Sequence, residues 1–235
     1  MLIVVRVESP AISHAAGSGA QIICTAWTIK PPPPEDDEDD DEVRRLFVEA
    51  VRLAQRNDVL MLCSASDEGQ QGDTNYPHAA CPDYTFRVGA ARWTGASAEY
   101  VDARDISFSL PGDDVPLRNM KYEERYFRPF DVHKGSSIAT ALAAGLVGLV
   151  YECVRMGIIY ENDPIKPRDL IKVDDLWSVR KKRAMEEILQ RYGLKKDANS
   201  KYLNIWGTFK AEALRGTRDR KTKEISRLAR VFLQK

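Results

Sequence analysis

Residues 131–157, DVHKGSSIATALAAGLVGLVYECVRMG, contain a Gly-Ser-Ser turn that leads directly into a long run of small apolar residues. From Ser137 onward this run has no polar face, so we predict a helix that is buried on all sides. The first turn of a buried helix holds unpaired backbone N–H groups and the positive end of the helix dipole inside the protein. Because a developing negative charge is stabilised there, a hydroxyl at Ser137 is well placed to be a nucleophile.

The same junction has a simpler interpretation. Serine is one of the residues preferred at helix N-caps, and most serines that precede helices have no other role. Ser136 or Ser137 would then only cap the helix. The junction alone leaves both roles open.

A family motif favours the nucleophile. Residues 135–141, GSSIATA, followed by Ala-Gly at 144–145, resemble the Gly-Thr-Ser-x-Ala-Thr-Pro…Ala-Gly motif of the subtilisin-like serine peptidases (subtilases, peptidase S8). The resemblance implies that Ser137 is the nucleophile. Ser136 replaces a Thr and keeps its hydroxyl, whereas Ala141 replaces a Pro and loses only a rigid residue of the first turn.

Charge divides the chain of 235 residues into two parts. Residues 161–235 contain 20 Lys and Arg against 11 Asp and Glu, a net charge of +9, which leaves −9 for residues 1–160. With 43% apolar and 30% charged residues, the composition is typical of a soluble globular protein with one main domain. We predict a partial subtilase catalytic domain over 1–160 and a basic helical extension over 161–235, with helices at 176–192, 205–214 and 217–233.

The first half of the chain shows a strand, loop, helix and strand pattern. Residues 18–29 predict a strand buried on both faces, and no strand clearly precedes it. Residues 43–54 carry one apolar stripe at helical spacing, and residues 59–64 predict the returning strand of a parallel sheet. The acidic segment 31–42, PPPPEDDEDDDE, predicts a solvated flexible loop, with partner binding as the alternative.

Two further segments resemble subtilase site elements. Residues 23–28 resemble the strand that forms one wall of the substrate channel, which implies that Ala26 and Trp27 line a peptide-binding pocket. Small and aromatic residues in a buried strand are more often ordinary core residues. Residues 65–69 resemble the Ala-Gly-Asn-Glu-Gly turn, whose Asn donates a hydrogen bond to the oxyanion. Asp67 occupies the Asn position, where an ionised carboxylate cannot donate; the alternative is a turn-forming role.

Residues 76–80, 86–90 and 105–112 also match subtilase segments, and all the matches follow the order of the family across residues 20–157. It implies the serine half of a subtilisin-like three-layer α/β fold of fungal type, with an incomplete parallel sheet and a helical C-terminal tail. The Asp and His motifs of the family's catalytic triad do not occur in the sequence. His14, His78 and His133 lack the sequence context of the family's base, and we interpret each as a surface or loop residue.

We therefore predict a serine-type endopeptidase homologue that is inactive as this chain alone. One alternative is a pseudoenzyme module that binds peptides without cleaving them. Another is a nucleic-acid-binding protein that uses the basic tail, which we do not favour because no known binding motif accompanies the charge. Peptides or proteins are the expected ligands, and the sequence leaves the oligomeric state open.

Cofactors, metals and membranes are not expected. The four cysteines have no metal-binding spacing, so we interpret them as reduced core residues. The apolar start lacks the basic region of a signal peptide, and Glu152 interrupts the longest apolar stretch. We predict a cytoplasmic protein.

Overall fold

A computed structural model of the chain describes residues 2–4, 8–31, 37–69, 72–118, 130–161, 171–193, 201–205 and 217–234. The strands are β1 Leu2–Val4, β2 Ile22–Thr25, β3 Leu60–Ser64, β4 Thr85–Ala91, β5 Phe108–Pro111, β6 Val115–Arg118 and β7 Phe130–His133. The α-helices are α1 Glu8–Gly17, α2 Asp37–Arg56, α3 Ser136–Glu161, α4 Val173–Ser178, α5 Lys182–Gly193 and α6 Arg218–Leu233.

Five parallel strands form the central sheet in the order β1-β2-β3-β4-β5. The first of them corrects a prediction, because β1 precedes residue 18, where no strand was expected. Leu2 of β1 lies opposite Ile22 of β2. A strand of three residues is too short to show a hydrophobic period, which is why the sequence pattern does not reveal it. Strands β6 and β7 form a separate antiparallel pair.

Helices cover both faces of the sheet. On one face α1 and α2 pack over Ile23 and Met61. On the other face α3 packs over Leu62 and Phe86, together with residues of α5 and α6. Alternate residues of each strand point to opposite faces, so the continuous apolar runs of β2 and β3 fill both layers. The predicted three-layer α/β architecture is confirmed.

Helix α3 is not buried on all sides, so that part of the prediction is wrong. Leu142, Leu149 and Ile159 are 39%, 45% and 54% exposed. The helix lies on the sheet with one side, and in the described part of the chain its opposite side remains accessible. Its length and hydropathy would allow it to cross a membrane, but half of its most apolar window is buried against the protein.

The acidic segment is partly helical. Helix α2 begins at Asp37, so the predicted loop over 31–42 is wrong for residues 37–42, while 32–36 lie outside the described residues. Acidic residues are favoured near a helix N-terminus because of the helix dipole, and this preference extends the helix before its apolar stripe begins. In the stripe Phe47 and Val51 are buried, as the spacing predicts.

The C-terminal part packs on the same core as the sheet. At the crossing of α3 and α6, a Cβ added to Gly157 would lie 2.9 Å from Cβ of Ala229. Residues 201–203 pair with β5, where Ser109 N donates to the carbonyl of Lys201 at 2.9 Å. The predicted helix at 205–214 lies almost entirely outside the described residues, and the domain boundary at residue 160 stays a prediction.

Candidate active site

Ser137 lies in the first turn of α3 and is partly exposed. The turn is reinforced by Thr140, whose hydroxyl donates to the carbonyl of Ser136 at 2.7 Å. In the described residues, Oγ of Ser137 has no hydrogen-bond partner. The hydroxyl is therefore presented at the positive end of the longest helix.

The turn before Ser137 is docked onto the carboxyl ends of β4 and β5. Gly135 N donates to the carbonyl of Gly112 at 2.7 Å, and the buried Oγ of Ser136 accepts from Ala90 N at 3.1 Å. A Cβ on Gly112 would lie 2.8 Å from Cβ of Ala90 and 2.9 Å from the carbonyl oxygen of Gly135. Glycine is therefore required at 112 for the serine loop to approach the sheet so closely.

The turn after β3 places Asp67 beside this loop. The carboxylate of Asp67 accepts from Ser136 N, with Oδ2 at 3.1 Å and Oδ1 at 3.2 Å. Gly135, at φ +140°, lies between Asp67 and Ser137, since a Cβ there would be 3.3 Å from Asp67 Oδ2 and 3.2 Å from Ser137 Oγ. The structure thus brings together Ser137 and Asp67, and Asp67 acts as a hydrogen-bond acceptor.

A buried arginine supports the Asp67 turn. Arg87 on β4 is 3% exposed and donates through Nη2 to the carbonyl of Asp73 at 2.7 Å. It also forms an ion pair with Asp105. The carboxylate of Asp73 in turn accepts from Ser66 N at 2.6 Å. This chain of hydrogen bonds fixes the residue that precedes Asp67, because a buried cation holds its partners strongly.

Tyr100, which is not one of the predicted site residues, connects the Asp67 turn with the loop that docks Gly135. Its hydroxyl donates to the carbonyl of Gly112 at 3.0 Å, and its own carbonyl accepts from Gly69 N at 2.9 Å. Burial raises the pKa of Tyr100 to about 12, with a further contribution from the negative charges of Asp113 and Asp67. The phenol therefore stays a neutral donor. No sequence motif marks this position.

A family model identifies the chain from its sequence, independently of this arrangement. A sequence model of the subtilase family, Peptidase_S8, matches residues 5–172. The chain belongs to the subtilase family. The fungal type stays a prediction, and no curated protein shows a significant match to the sequence.

Solved protease structures share the subtilase fold of this chain. A lanthipeptide protease is 16% identical with a TM-score of 0.58, over 83% of this chain and 61% of the other. The prenylagaramide maturation protease PagA is 17% identical with a TM-score of 0.54, over 84% and 64%. The epidermin leader peptide processing serine protease EpiP from Staphylococcus aureus is 16% identical with a TM-score of 0.55, over 84% and 52%. At such identities the likeness concerns the fold, and this chain spans less than two thirds of each of these proteases.

The remaining predicted subtilase site residues follow β2. Ala26 and Trp27 are partly buried and lie past the carboxyl end of that strand, at the same edge of the sheet as Ser137. Ala26 packs on the α3 side of the sheet, whereas Trp27 packs on the α1 and α2 side. A role for either residue in binding peptides stays a prediction.

None of the three histidines forms a hydrogen bond with Ser137 in the described residues. His78 is buried before β4, at the amino-terminal end of the strands and therefore opposite to the end at which Ser137 lies. Its Nδ1 lies 2.7 Å from Thr85 Oγ1. Thr85 uses its own proton to donate to Cys81 O, so it accepts from His78, and Nδ1 carries the proton. Burial lowers the pKa of His78 to about 3, together with the charges of Arg87 and Lys182. His14 and His133 are exposed on α1 and at the end of β7.

The cysteines do not offer a second nucleophile. All four are free and buried. Burial raises the pKa of the Cys24 thiol to about 11 and that of Cys63 to about 12, so both stay protonated. Among the described residues, no three His, Cys, Asp or Glu side chains come together as a set of metal ligands.

Proposed function

We propose that this chain carries the nucleophile of a subtilase-type serine endopeptidase and does not hydrolyse peptides at a useful rate by itself. The observation that carries the proposal is the docking of the Ser137 turn at the N-terminus of α3. A serine hydroxyl is a weak nucleophile until a base removes its proton, and no histidine here is bonded to Ser137. In subtilisin, loss of the base alone costs about 10⁶-fold in turnover.

The role of Asp67 as a hydrogen-bond acceptor supports low peptidase activity. Its carboxylate accepts the N–H of Ser136, so it occupies the place of a side-chain donor without being one. Loss of such a donor costs about 10²- to 10³-fold in turnover in subtilisin. The lack of a base would limit formation of the oxyanion, and the lack of a side-chain donor would limit its stabilisation. Both effects would therefore raise the free energy of the same transition state.

A fluorophosphonate probe tests this proposal, because it labels only activated serines. The purified chain should not be labelled at Ser137. Addition of the Asp and His segments of a subtilase, as a separate polypeptide or as a fusion, should produce labelling that Ser137→Ala abolishes. Stoichiometric labelling of the chain alone, lost in both Ser137→Ala and His133→Ala, would overturn the proposal and identify His133 as the base.

A peptide-binding pseudoenzyme is the second candidate, and the acceptor role of Asp67 favours it. The Ser137→Ala variant of such a protein would bind peptides as tightly as the wild type. The wild-type protein would stay unlabelled by the fluorophosphonate after the Asp and His segments are supplied.

We also propose a cytoplasmic location, which is supported by the four free cysteines, since free cysteines are typical of a reducing compartment.

A further inference from the structure

The segment after β4 forms a short hairpin with a tryptophan at its tip. Ala98 N donates to Ala90 O at 3.0 Å, and Arg92 N donates to Ala96 O at 2.8 Å. Gly95 N donates to Arg92 O at 2.9 Å and closes the turn. Trp93 lies in this turn with 84% of its surface exposed, more than any other large apolar residue of the described chain.

Ion pairs also connect this hairpin, which is closed by its backbone hydrogen bonds, to neighbouring segments. The guanidinium of Arg92 lies 2.8 Å from a carboxylate oxygen of Glu99 and 3.3 Å from one of Asp113. Arg92 thereby ties the turn both to the returning strand and to the loop after β5. The hairpin then runs into Tyr100, which is bonded to the Asp67 turn and to the loop before Ser137. Trp93 is therefore an exposed aromatic side chain on a fixed support, and such residues are typical binding hot spots.

Trp93 follows the strand on which the serine loop is docked. Ala90 N donates to Oγ of Ser136, the neighbour of Ser137, at 3.1 Å. Trp93 is three residues further along, so its Cα lies within about 11 Å of the Cα of Ala90. An extended peptide advances about 3.3 Å per residue. The indole can therefore reach a peptide side chain that is a few positions from a bond held at Ser137.

The order of the strands shows on which side of the Asp67 turn Trp93 lies. The Asp67 turn follows β3, which lies between β2 and β4. Trp27 follows β2, whereas Trp93 follows β4, so the two tryptophans lie on opposite sides of Asp67. Val132, the second most exposed large apolar residue of the described chain at 66%, is five residues before Ser137. The two most exposed large apolar side chains of the described chain thus lie on the hairpin after β4 and on the segment that leads into the serine loop.

We infer that Trp93 is a specificity-determining contact for a large apolar or aromatic side chain of a bound peptide, on the side of Ser137 away from Trp27. The inference rests on the proposed function, since it takes the cleft at Ser137 to be the peptide-binding cleft. Arg92 is paired with two carboxylates, Glu99 and Asp113, so it is not available to bind an acidic group of the peptide, and the contact that Trp93 itself offers is apolar area and aromatic stacking.

Peptide binding to the full chain tests the inference without requiring hydrolysis. The probes are two fluorescein-labelled octapeptides of Ala and Ser, one with Phe at two adjacent central positions and the other with Gly there. Fluorescence anisotropy should show that Trp93→Ala weakens binding of the Phe peptide about tenfold and leaves binding of the Gly peptide unchanged. Trp93→Phe should retain most of the affinity. Trp177→Ala removes another exposed tryptophan, 51% exposed on α4, and should have no effect.

The two proposals fail in different ways. If the wild-type chain binds neither octapeptide, the Trp93 contact is wrong, whereas the proposed function is decided separately by fluorophosphonate labelling of Ser137 after the Asp and His segments are supplied. If it binds the Phe peptide and Trp93→Ala binds it equally well, only the Trp93 contact is wrong. An equal loss in Trp93→Ala and Trp177→Ala would also overturn the contact. The denaturation midpoints of the two Trp93 variants should match the wild type, because the Trp93 indole is 84% exposed. A lower midpoint in Trp177→Ala would reflect loss of its contact with Arg180, at 5.0 Å from the ring centroid.

Discussion

The carboxylate of Asp67 accepts the backbone N–H of Ser136, at 3.1 Å from Oδ2 and 3.2 Å from Oδ1. A side chain that follows β3 thus satisfies an unpaired N–H group at the start of α3. The subtilase turn with Asn would offer both an acceptor and a donor at this place, whereas Asp67 offers acceptors alone. The relationship gives the start of α3 an acceptor, and a carboxylate at position 67 leaves the turn after β3 without the side-chain donor that Asn would supply.

Asp67→Ala should lower the free energy of unfolding by about 1 kcal/mol, because the start of α3 loses an acceptor and a favourable charge. Urea denaturation followed by circular dichroism measures the change. Glu68→Ala is the matched control, since Glu68 is exposed and its ion pair in the described part of the chain is with exposed Lys30 at 2.8 Å. A loss in Asp67→Ala no larger than in Glu68→Ala would show that the contact with Ser136 contributes nothing.

Asp67→Asn should raise peptidase activity once the Asp and His segments are supplied. The Asn oxygen can still accept from Ser136 N, while its amide nitrogen becomes a donor for the oxyanion. We expect turnover of a fluorogenic peptide to rise by at least about tenfold, with little change in KM. Equal or lower turnover would mean that a backbone N–H already stabilises the oxyanion without help from residue 67.

Gly135→Ala should destabilise the protein by about 1–3 kcal/mol. Gly135 has φ +140°, and a Cβ would lie 3.2 Å from Ser137 Oγ and 3.3 Å from Asp67 Oδ2. Gly145→Ala on α3 is the control, because among the described residues no atom outside the helix's own nearby backbone lies within 4 Å of its added Cβ. It should stabilise the protein by up to about 1 kcal/mol through helix propensity. Equal effects of the two substitutions, measured by urea denaturation, would contradict the crowded geometry around Gly135.

Stability should fall in acid because of His78. Burial lowers its folded-state pKa from 6.5 to about 3, so the unfolded chain binds more protons between these values. The contribution of neutral His78 is complete above pH 6.5 and is lost as the pH falls toward 3, by about 1 kcal/mol per unit within that window. His78→Gln should flatten this dependence, whereas His14→Gln at an exposed position should preserve it. An unchanged slope in His78→Gln would mean that other groups cause the acid sensitivity.

The sequence predicts the parts of the fold that have a hydrophobic period. Strands β2 and β3 follow from their apolar runs, and the apolar stripe of α2 follows from its spacing. The strand β4 and the Ser137 turn are located by the family resemblance, and the role of Ser137 as nucleophile stays a prediction. Short β1 has too few residues for a period. The N-terminus of α2 consists of acidic residues that also suit a loop, so the boundary depends on the helix dipole and not on hydropathy.

The site itself depends on contacts between distant segments. The sequence identifies Asp67 and Ser137 separately through family motifs. It does not show that Asp67 is bound to Ser136, that Arg87 supports the turn through Asp73, or that Tyr100 reaches Gly112. These contacts arise because parallel strands bring their carboxyl ends to one edge. None of them has a local sequence signal.

The hydrogen bond from Ala90 N to Oγ of Ser136 has a consequence for observing the protein in solution. The N–H of Ala90 donates its hydrogen bond to a side chain of the serine loop and not to a neighbouring strand. Undocking of the serine loop would remove this hydrogen bond and lower the protection of the Ala90 proton from deuterium exchange. The exchange rate of this single amide therefore reports how often the turn at Ser136 and Ser137 leaves the sheet, and its measurement requires no substrate turnover.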